Sequence, residues 1–141
     1  PDTVKIIHCR EHLLEEVQNL PKDIEEIDFS HNNIKQFDTN ELINLTSLNI
    51  SNNELNKLSK LPDSLLFLNV ENNQLKELNL ETTQKLKHLI CSNNPILVLQ
   101  NVPTSLTKIE MENNPFIEIE RGDGDGKTTS KKKIKLFTKF K

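Results

Sequence analysis

The residues of this 141-residue chain that could do chemistry are two cysteines, four histidines and a Gly-Asp segment near the C-terminus. A zinc site needs cysteines and histidines in closely spaced pairs, and Cys9 and Cys91 have no such spacing. Nucleophilic catalysis needs a thiol beside a base, and no Cys-His pairing is visible. Gly126-Lys127-Thr128 matches the end of a phosphate-binding loop, but that pattern requires Gly at position 121, where Arg121 stands. Asp123-Gly-Asp125-Gly opens like a calcium loop and lacks the closing Glu. Arg121-Gly122-Asp123 is the tripeptide that integrins recognise, and it is short enough to arise by chance. Asn44-Leu-Thr46 and Asn49-Ile-Ser51 fit the glycosylation sequon, which an Asn-rich chain generates freely. These residues imply no catalytic group, no metal and no cofactor, and hence a protein that is not an enzyme.

Recurrence is the strong signal. Leu45-x-x-Leu48-x-Ile50-x-x-Asn53-x-Leu55-x-x-Leu58 returns as Leu65-x-x-Leu68-x-Val70-x-x-Asn73-x-Leu75-x-x-Leu78. Further copies begin at Ile24, Leu86 and Leu106, and a weaker one begins at Val4, so the spacings are 20, 21, 20, 21 and 20 residues. Six positions kept in phase over six copies mark a repeat architecture.

This pattern resembles the leucine-rich-repeat family over residues 4–119. The short period and the turns Leu20-Pro21-Lys22-Asp23-Ile24, Leu61-Pro62-Asp63-Ser64-Leu65 and Val102-Pro103-Thr104-Ser105-Leu106 are similar to the bacterial subtype found in secreted effectors. Two repeats depart from it, with Leu42 and Thr83 where the others carry proline. The resemblance implies a right-handed, open solenoid with a parallel β-sheet on its concave side and a mostly extended or 3₁₀ convex side.

The spacing gives the same picture in physical terms. The last two apolar residues of Leu-x-x-Leu-x-Leu are two apart and share one side of a strand. Asn32, Asn53, Asn73, Asn94 and Asn114, with His12 as a stand-in, then follow the strands and predict a structural ladder of side-chain amides bonded to backbone. Cys9 and Cys91 fall on core positions, as buried thiols replacing Leu, too many repeats apart for a disulfide. Leu13, Leu14, Val17 and Leu20 share one helical face, so residues 11–20 are the best helix candidate and a cap for the first repeat.

Strand residues that face away from the core line the concave surface, where solenoids usually bind. Each repeat contributes its second, third, fifth, seventh and eighth residues, from Lys5, Ile6, His8, Arg10 and Glu11 to Thr107, Lys108, Glu110, Glu112 and Asn113. Most are polar. The exception is Leu66, Phe67 and Ile90, with His88 beside Phe67 on the next strand, and this apolar cluster is the first candidate partner site. The acidic group Glu25, Glu26 and Asp28 is the second, suited to a basic peptide.

Charge is unevenly divided. Residues 121–141 carry eight Lys or Arg against two Asp, so residues 1–120 hold ten basic and nineteen acidic side chains. An acidic body argues against nucleic acid as its partner. No apolar run reaches the roughly eighteen residues of a membrane span. Two cysteines are too few for a disulfide-stapled scaffold, which points to a reducing compartment.

The expected organisation is an N-terminal cap with a degenerate first repeat over 1–23, five repeats over 24–120, and a flexible loop with a basic tail over 121–141. The tail reads either as a capping strand, with Ile134 and Leu136 on the core side, or as a linear motif, or as a contact for anionic membrane. The expected function is a monomeric, non-catalytic scaffold that binds a protein or peptide on its concave face, a secreted or viral host-modulating factor. The alternative is a regulatory subunit that docks a phosphatase or kinase through the concave face and the basic tail. The expected location is cytoplasmic: the host cytoplasm for an effector, with nuclear entry open through the tail.

Overall fold

The computed structural model of the chain describes residues 4–115, 118–121 and 134–135. The backbone winds as a solenoid. Each coil places one short strand on the concave side: β1 (Ile6–His8), β2 (Glu26–Asp28), β4 (Ser47–Asn49), β6 (Phe67–Asn69), β8 (His88–Ile90) and β10 (Lys108–Glu110). These six form one parallel sheet in the order β1-β2-β4-β6-β8-β10. Its register aligns the central residues Ile7, Ile27, Leu48, Leu68, Leu89 and Ile109. From Ile27 to Leu89 these central residues are buried, while their neighbours along the strand stay partly open.

On the convex side the chain is also extended and hydrogen-bonds into further strands of two to five residues. β3 (Gln36–Phe37) pairs with β5 (Lys57–Leu58). β7 (Glu77–Asn79), β9 (Val98–Val102), β11 (Glu118–Arg121) and β12 (Ile134–Lys135) form a second sheet. β12 runs antiparallel to β11, with Ile134 opposite Ile119 and Lys135 opposite Glu118. The core fills the space between the two sides with stacked rows such as Phe29, Ile50, Val70, Cys91 and Met111, or Ile34, Leu55, Leu75 and Ile96.

Two neighbouring residues end each concave strand with separate tasks. The first takes a left-handed backbone: His31, Asn52, Asn72, Asn93 and Asn113 all have φ between 53° and 58°. Asn tolerates that region better than most residues. The second is the ladder amide. Asn73 Nδ2 donates to the carbonyls of Ile50, Val70 and Glu71, and its Oδ1 accepts from the Leu55 N–H. Asn32, Asn53, Asn94 and Asn114 repeat this pattern, each reaching back to a carbonyl of the preceding coil.

The alternation of 20 and 21 residues has a local cause. Every coil closes on an i→i+3 turn into the next one, whether the acceptor is the carbonyl of Pro21, Pro62 or Pro103, or that of Leu42 or Thr83. A proline there has no N–H to donate. Leu42 and Thr83 do have one, and they use it for an additional turn onto Thr39 and Leu80. That additional turn absorbs the extra residue of the two longer repeats.

Three expectations about the first coil are corrected. Residues 11–20 are not helical, because Glu11, Leu13 and Asn19 adopt positive φ values that an α-helix cannot contain. Leu14, Val17 and Leu20 pack on the core as ordinary repeat positions, while Leu13 is 75% exposed. His12 is exposed and does not act as a ladder residue; its backbone N–H donates to Asn32 Oδ1. Cys9 packs against the core but is only half-buried, since its coil is covered on one side alone.

Candidate functional site

The sheet register converts the repeat into columns across the concave face. One runs Ile6, Glu26, Ser47, Phe67, His88 and Lys108. The next runs His8, Asp28, Asn49, Asn69, Ile90 and Glu110. Leu66 precedes β6 and is 39% exposed.

The first candidate group comes together. Phe67 and His88 lie directly opposite in the β6–β8 register, and their rings meet edge to face, with centroids 5.1 Å apart and planes at 69°. His88 Nε2 lies 3.2 Å from Glu110 Oε2 on the following strand. Ile90 sits one strand over and two residues along from Phe67, diagonally across the face. The result is an apolar step anchored by a ring pair and a histidine–carboxylate contact, within a sheet face that is otherwise polar from β2 to β10, with Ile6 exposed on the edge strand β1.

The second candidate group is already occupied by the chain itself. Lys5 Nζ lies 2.9 Å from Glu25, His8 Nε2 lies 2.8 Å from Glu26, and Arg10 Nε lies 3.7 Å from Asp28. The hydrogen bond and the charge of Glu25 hold the Lys5 ammonium above the ordinary lysine value. The first coil thus places a basic side chain beside each of these acidic residues of the second. Lys5 occupies the same repeat position as Glu25, whereas His8 and Arg10 lie two residues beyond the levels of Glu26 and Asp28 and reach them diagonally.

Some positions assigned to the surface belong elsewhere. Ser30, Ser51 and Ser92 are buried; Ser30 Oγ accepts from Arg10 Nε, Ser51 Oγ donates to Asn49 Oδ1, and Ser92 Oγ accepts the Glu112 N–H. His31, Asn52, Asn72, Asn93 and Asn113 form the left-handed turn at the rim and not strand. Along this rim Asn72 Nδ2 donates to Asn52 Oδ1, and Asn113 Nδ2 to Asn93 Oδ1, a second and exposed amide ladder that the sequence pattern did not bring out.

Asn49 Oδ1 accepts both the N–H and the hydroxyl of Ser51, which gives that sequon a structural use. Cys91 is fully buried, and desolvation pushes its thiol up to about 12. Both cysteines are free. Residues 122–128, with the phosphate-loop and calcium-loop resemblances, lie outside the described residues, as does the tail apart from Ile134 and Lys135. No helix among the described residues is long and apolar enough to cross a membrane.

Comparison with known proteins agrees with this architecture. The Leucine Rich Repeat family profile matches residues 44–68. No curated protein sequence matches the chain. Among solved structures, YopM from Yersinia enterocolitica superposes with a TM-score of 0.75 at 32% identity, over 83% of this chain and 25% of that one. YopM of Yersinia pestis, described as a leucine-rich effector protein, gives 0.57 at 29% identity, over 75% of this chain and 36% of that one. The functional domain of InlJ from Listeria monocytogenes shares the fold, with a TM-score of 0.62 at 20% identity over 89% of this chain and 33% of that one. The chain therefore spans a quarter to about a third of the length of each of these structures. It is a leucine-rich-repeat protein, and its repeats resemble the bacterial subtype.

Proposed function

We propose that this chain is a non-catalytic interaction scaffold that binds a protein or peptide on its concave face, centred on Leu66, Phe67, His88 and Ile90. The carrying observation is the Phe67–His88 ring pair, 5.1 Å between centroids, set on a sheet face that is otherwise polar from β2 to β10. Contiguous apolar groups on a solvent-facing surface are characteristic of partner sites. A parallel sheet held by a buried ladder on one side and rows of Leu on the other is rigid, so the cluster is pre-organised and binding needs little ordering. The acidic group Glu25, Glu26 and Asp28 takes a lesser part in this reading, because each of the three already has Lys5, His8 or Arg10 within 4 Å.

The setting we infer is a host cell. The support is the likeness to a protein described as a leucine-rich effector of Yersinia pestis. The test is a photo-crosslinking amino acid placed at position 67 or, as a control, at the exposed convex residue Leu97. Both proteins are exposed to host-cell lysate, alongside a Phe67→Glu, Ile90→Lys variant checked by circular dichroism. A protein crosslinked from position 67 and not from 97, and no longer captured by the folded variant, is the expected result. Equal crosslinking from both positions places the binding surface elsewhere.

A further inference from the structure

The charges of the concave face are arranged differently in its two halves. On the first two coils three bases each have an acid within 4 Å: Lys5 with Glu25, His8 with Glu26 and Arg10 with Asp28. Around the apolar cluster the chain leaves charges open. Lys87 and Lys108 stand at the start of their strands, exposed and without an ion pair among the described residues. Glu71 and Glu112 lie beyond the strand ends, half-buried and likewise without an ion pair among the described residues. Glu110, between them, is engaged by His88. Lys108 is level with Phe67 and His88 across the sheet, Ile90 lies two residues further along, and Glu71 and Glu112 lie beyond it. Among the described residues, two cations without an ion pair therefore mark one end of the cluster and two such carboxylates the other.

We propose that this half of the concave face takes an extended peptide segment in which an acidic residue, an apolar residue and a basic residue follow at every second position. The proposal rests on the concave face being the binding face and specifies what binds there. The acid lies over Lys87 and Lys108, the apolar side chain over Ile90 beside Phe67, and the base over Glu71 and Glu112. The spacing follows from the strands. Lys108 and Glu112 are four residues apart in near-extended chain, about 13 Å. A ligand lying along the strands rises by the same amount per residue, so its acid and base are also four positions apart. Residues i, i+2 and i+4 of an extended chain point to one side, so all three face the sheet together. Like-charged pairs at the rim reject peptides with the wrong ends, which gives selectivity as well as attraction.

A displayed library of random nine-residue peptides tests this with the full chain. The library is selected against wild type, Lys87→Glu with Lys108→Glu, Glu71→Lys with Glu112→Lys, and the Phe67→Glu, Ile90→Lys variant, all checked for native circular dichroism. Wild type should enrich peptides with an acid and a base four positions apart around an apolar residue, in either chain direction. The lysine-reversed protein should instead enrich bases at both positions, and the glutamate-reversed protein acids at both. Synthetic copies of the wild-type peptides should lose about tenfold in affinity on either reversal. Enrichment of apolar peptides without regard to charge, or of the same peptides by both reversed proteins, overturns the charge order and leaves the concave face as the site. Peptides that bind the Phe67→Glu, Ile90→Lys variant as well as wild type overturn the concave-face reading itself. Failure of wild type to enrich any sequence rules out a short extended peptide as the occupant.

Discussion

The Asn73 side-chain amide donates at 3.0 Å to the carbonyl of Ile50, 23 residues earlier in the chain. The same nitrogen also serves Val70 and Glu71, and its oxygen accepts from Leu55. One buried side chain thus replaces the water that four backbone groups would otherwise need. Asn73→Ala leaves them unpaired away from solvent, which costs about 1–3 kcal/mol. Asn73→Asp should cost more, because a carboxylate cannot donate to the three carbonyls and buries a charge beside them. Urea unfolding monitored by circular dichroism gives the ranking; a neutral Asn73→Ala would refute the structural role of the ladder.

Thr83 provides the opposite case. Its side chain is fully buried, and its hydroxyl has no hydrogen-bond partner among the described residues. Thr83→Val keeps the shape and removes the unsatisfied group, so the variant should gain about 1 kcal/mol of stability. Thr83→Pro should instead lose stability, because it deletes the N–H that donates to Leu80 at 3.1 Å. Thermal melts of both variants separate these effects. A destabilised Thr83→Val would show that the hydroxyl makes a bond in solution.

How far the sequence was legible depends on the range of the forces involved. The strands, the core rows and the ladder were readable because each repeats a local pattern, and six copies average away the exceptions. The concave cluster was readable for the same reason: once the period was known, Phe67 and His88 had to be neighbours. Residues 11–20 misled because Leu13, Leu14, Val17 and Leu20 fit a helical period by coincidence, while the second coil dictates their actual path through Asn32 and the Leu14 carbonyl. The pairing of Lys5, His8 and Arg10 with the acids of the next coil was missed because each group was considered within its own repeat. The left-handed task of the first residue in each Asn-Asn pair was hidden, because Asn suits a surface position as well as a turn.

The ends of the solenoid should be softer than its middle. Leu68 is fully buried between two neighbouring coils, whereas Leu14, in the first coil, is only partly covered. Leu68→Ala should cost about 2–5 kcal/mol through the cavity it leaves, and Leu14→Ala clearly less. Repeat proteins with nearest-neighbour coupling fray from their ends. In hydrogen exchange, the amides of Cys9 and Glu11 should therefore exchange well before those of Val70 and Cys91, although both sets are bonded to a neighbouring coil. Uniform exchange rates would mean that the coils unfold as one unit.

The two thiols should differ in reactivity, and one of them should link stability to pH. Cys9 is half-buried in the first coil, whereas Cys91 is sealed in the core with its thiol pushed up to about 12. At neutral pH iodoacetamide should alkylate Cys9 in the native protein and reach Cys91 only after unfolding, as peptide mass analysis would show. The pH effect follows from which state ionises first. Above the ordinary thiol value of 9.0 the unfolded chain loses the Cys91 proton and the native chain keeps it. The native state then binds more protons, so its stability falls as pH rises, by about 1.4 kcal/mol per pH unit up to the raised value. Cys91→Val removes this dependence and keeps a similar volume in the row between Val70 and Met111. The difference in urea midpoint between wild type and Cys91→Val should therefore shift in favour of the variant between pH 8 and pH 10. A difference that stays constant over that range would show that the thiol ionises as readily in the folded chain as in the unfolded one.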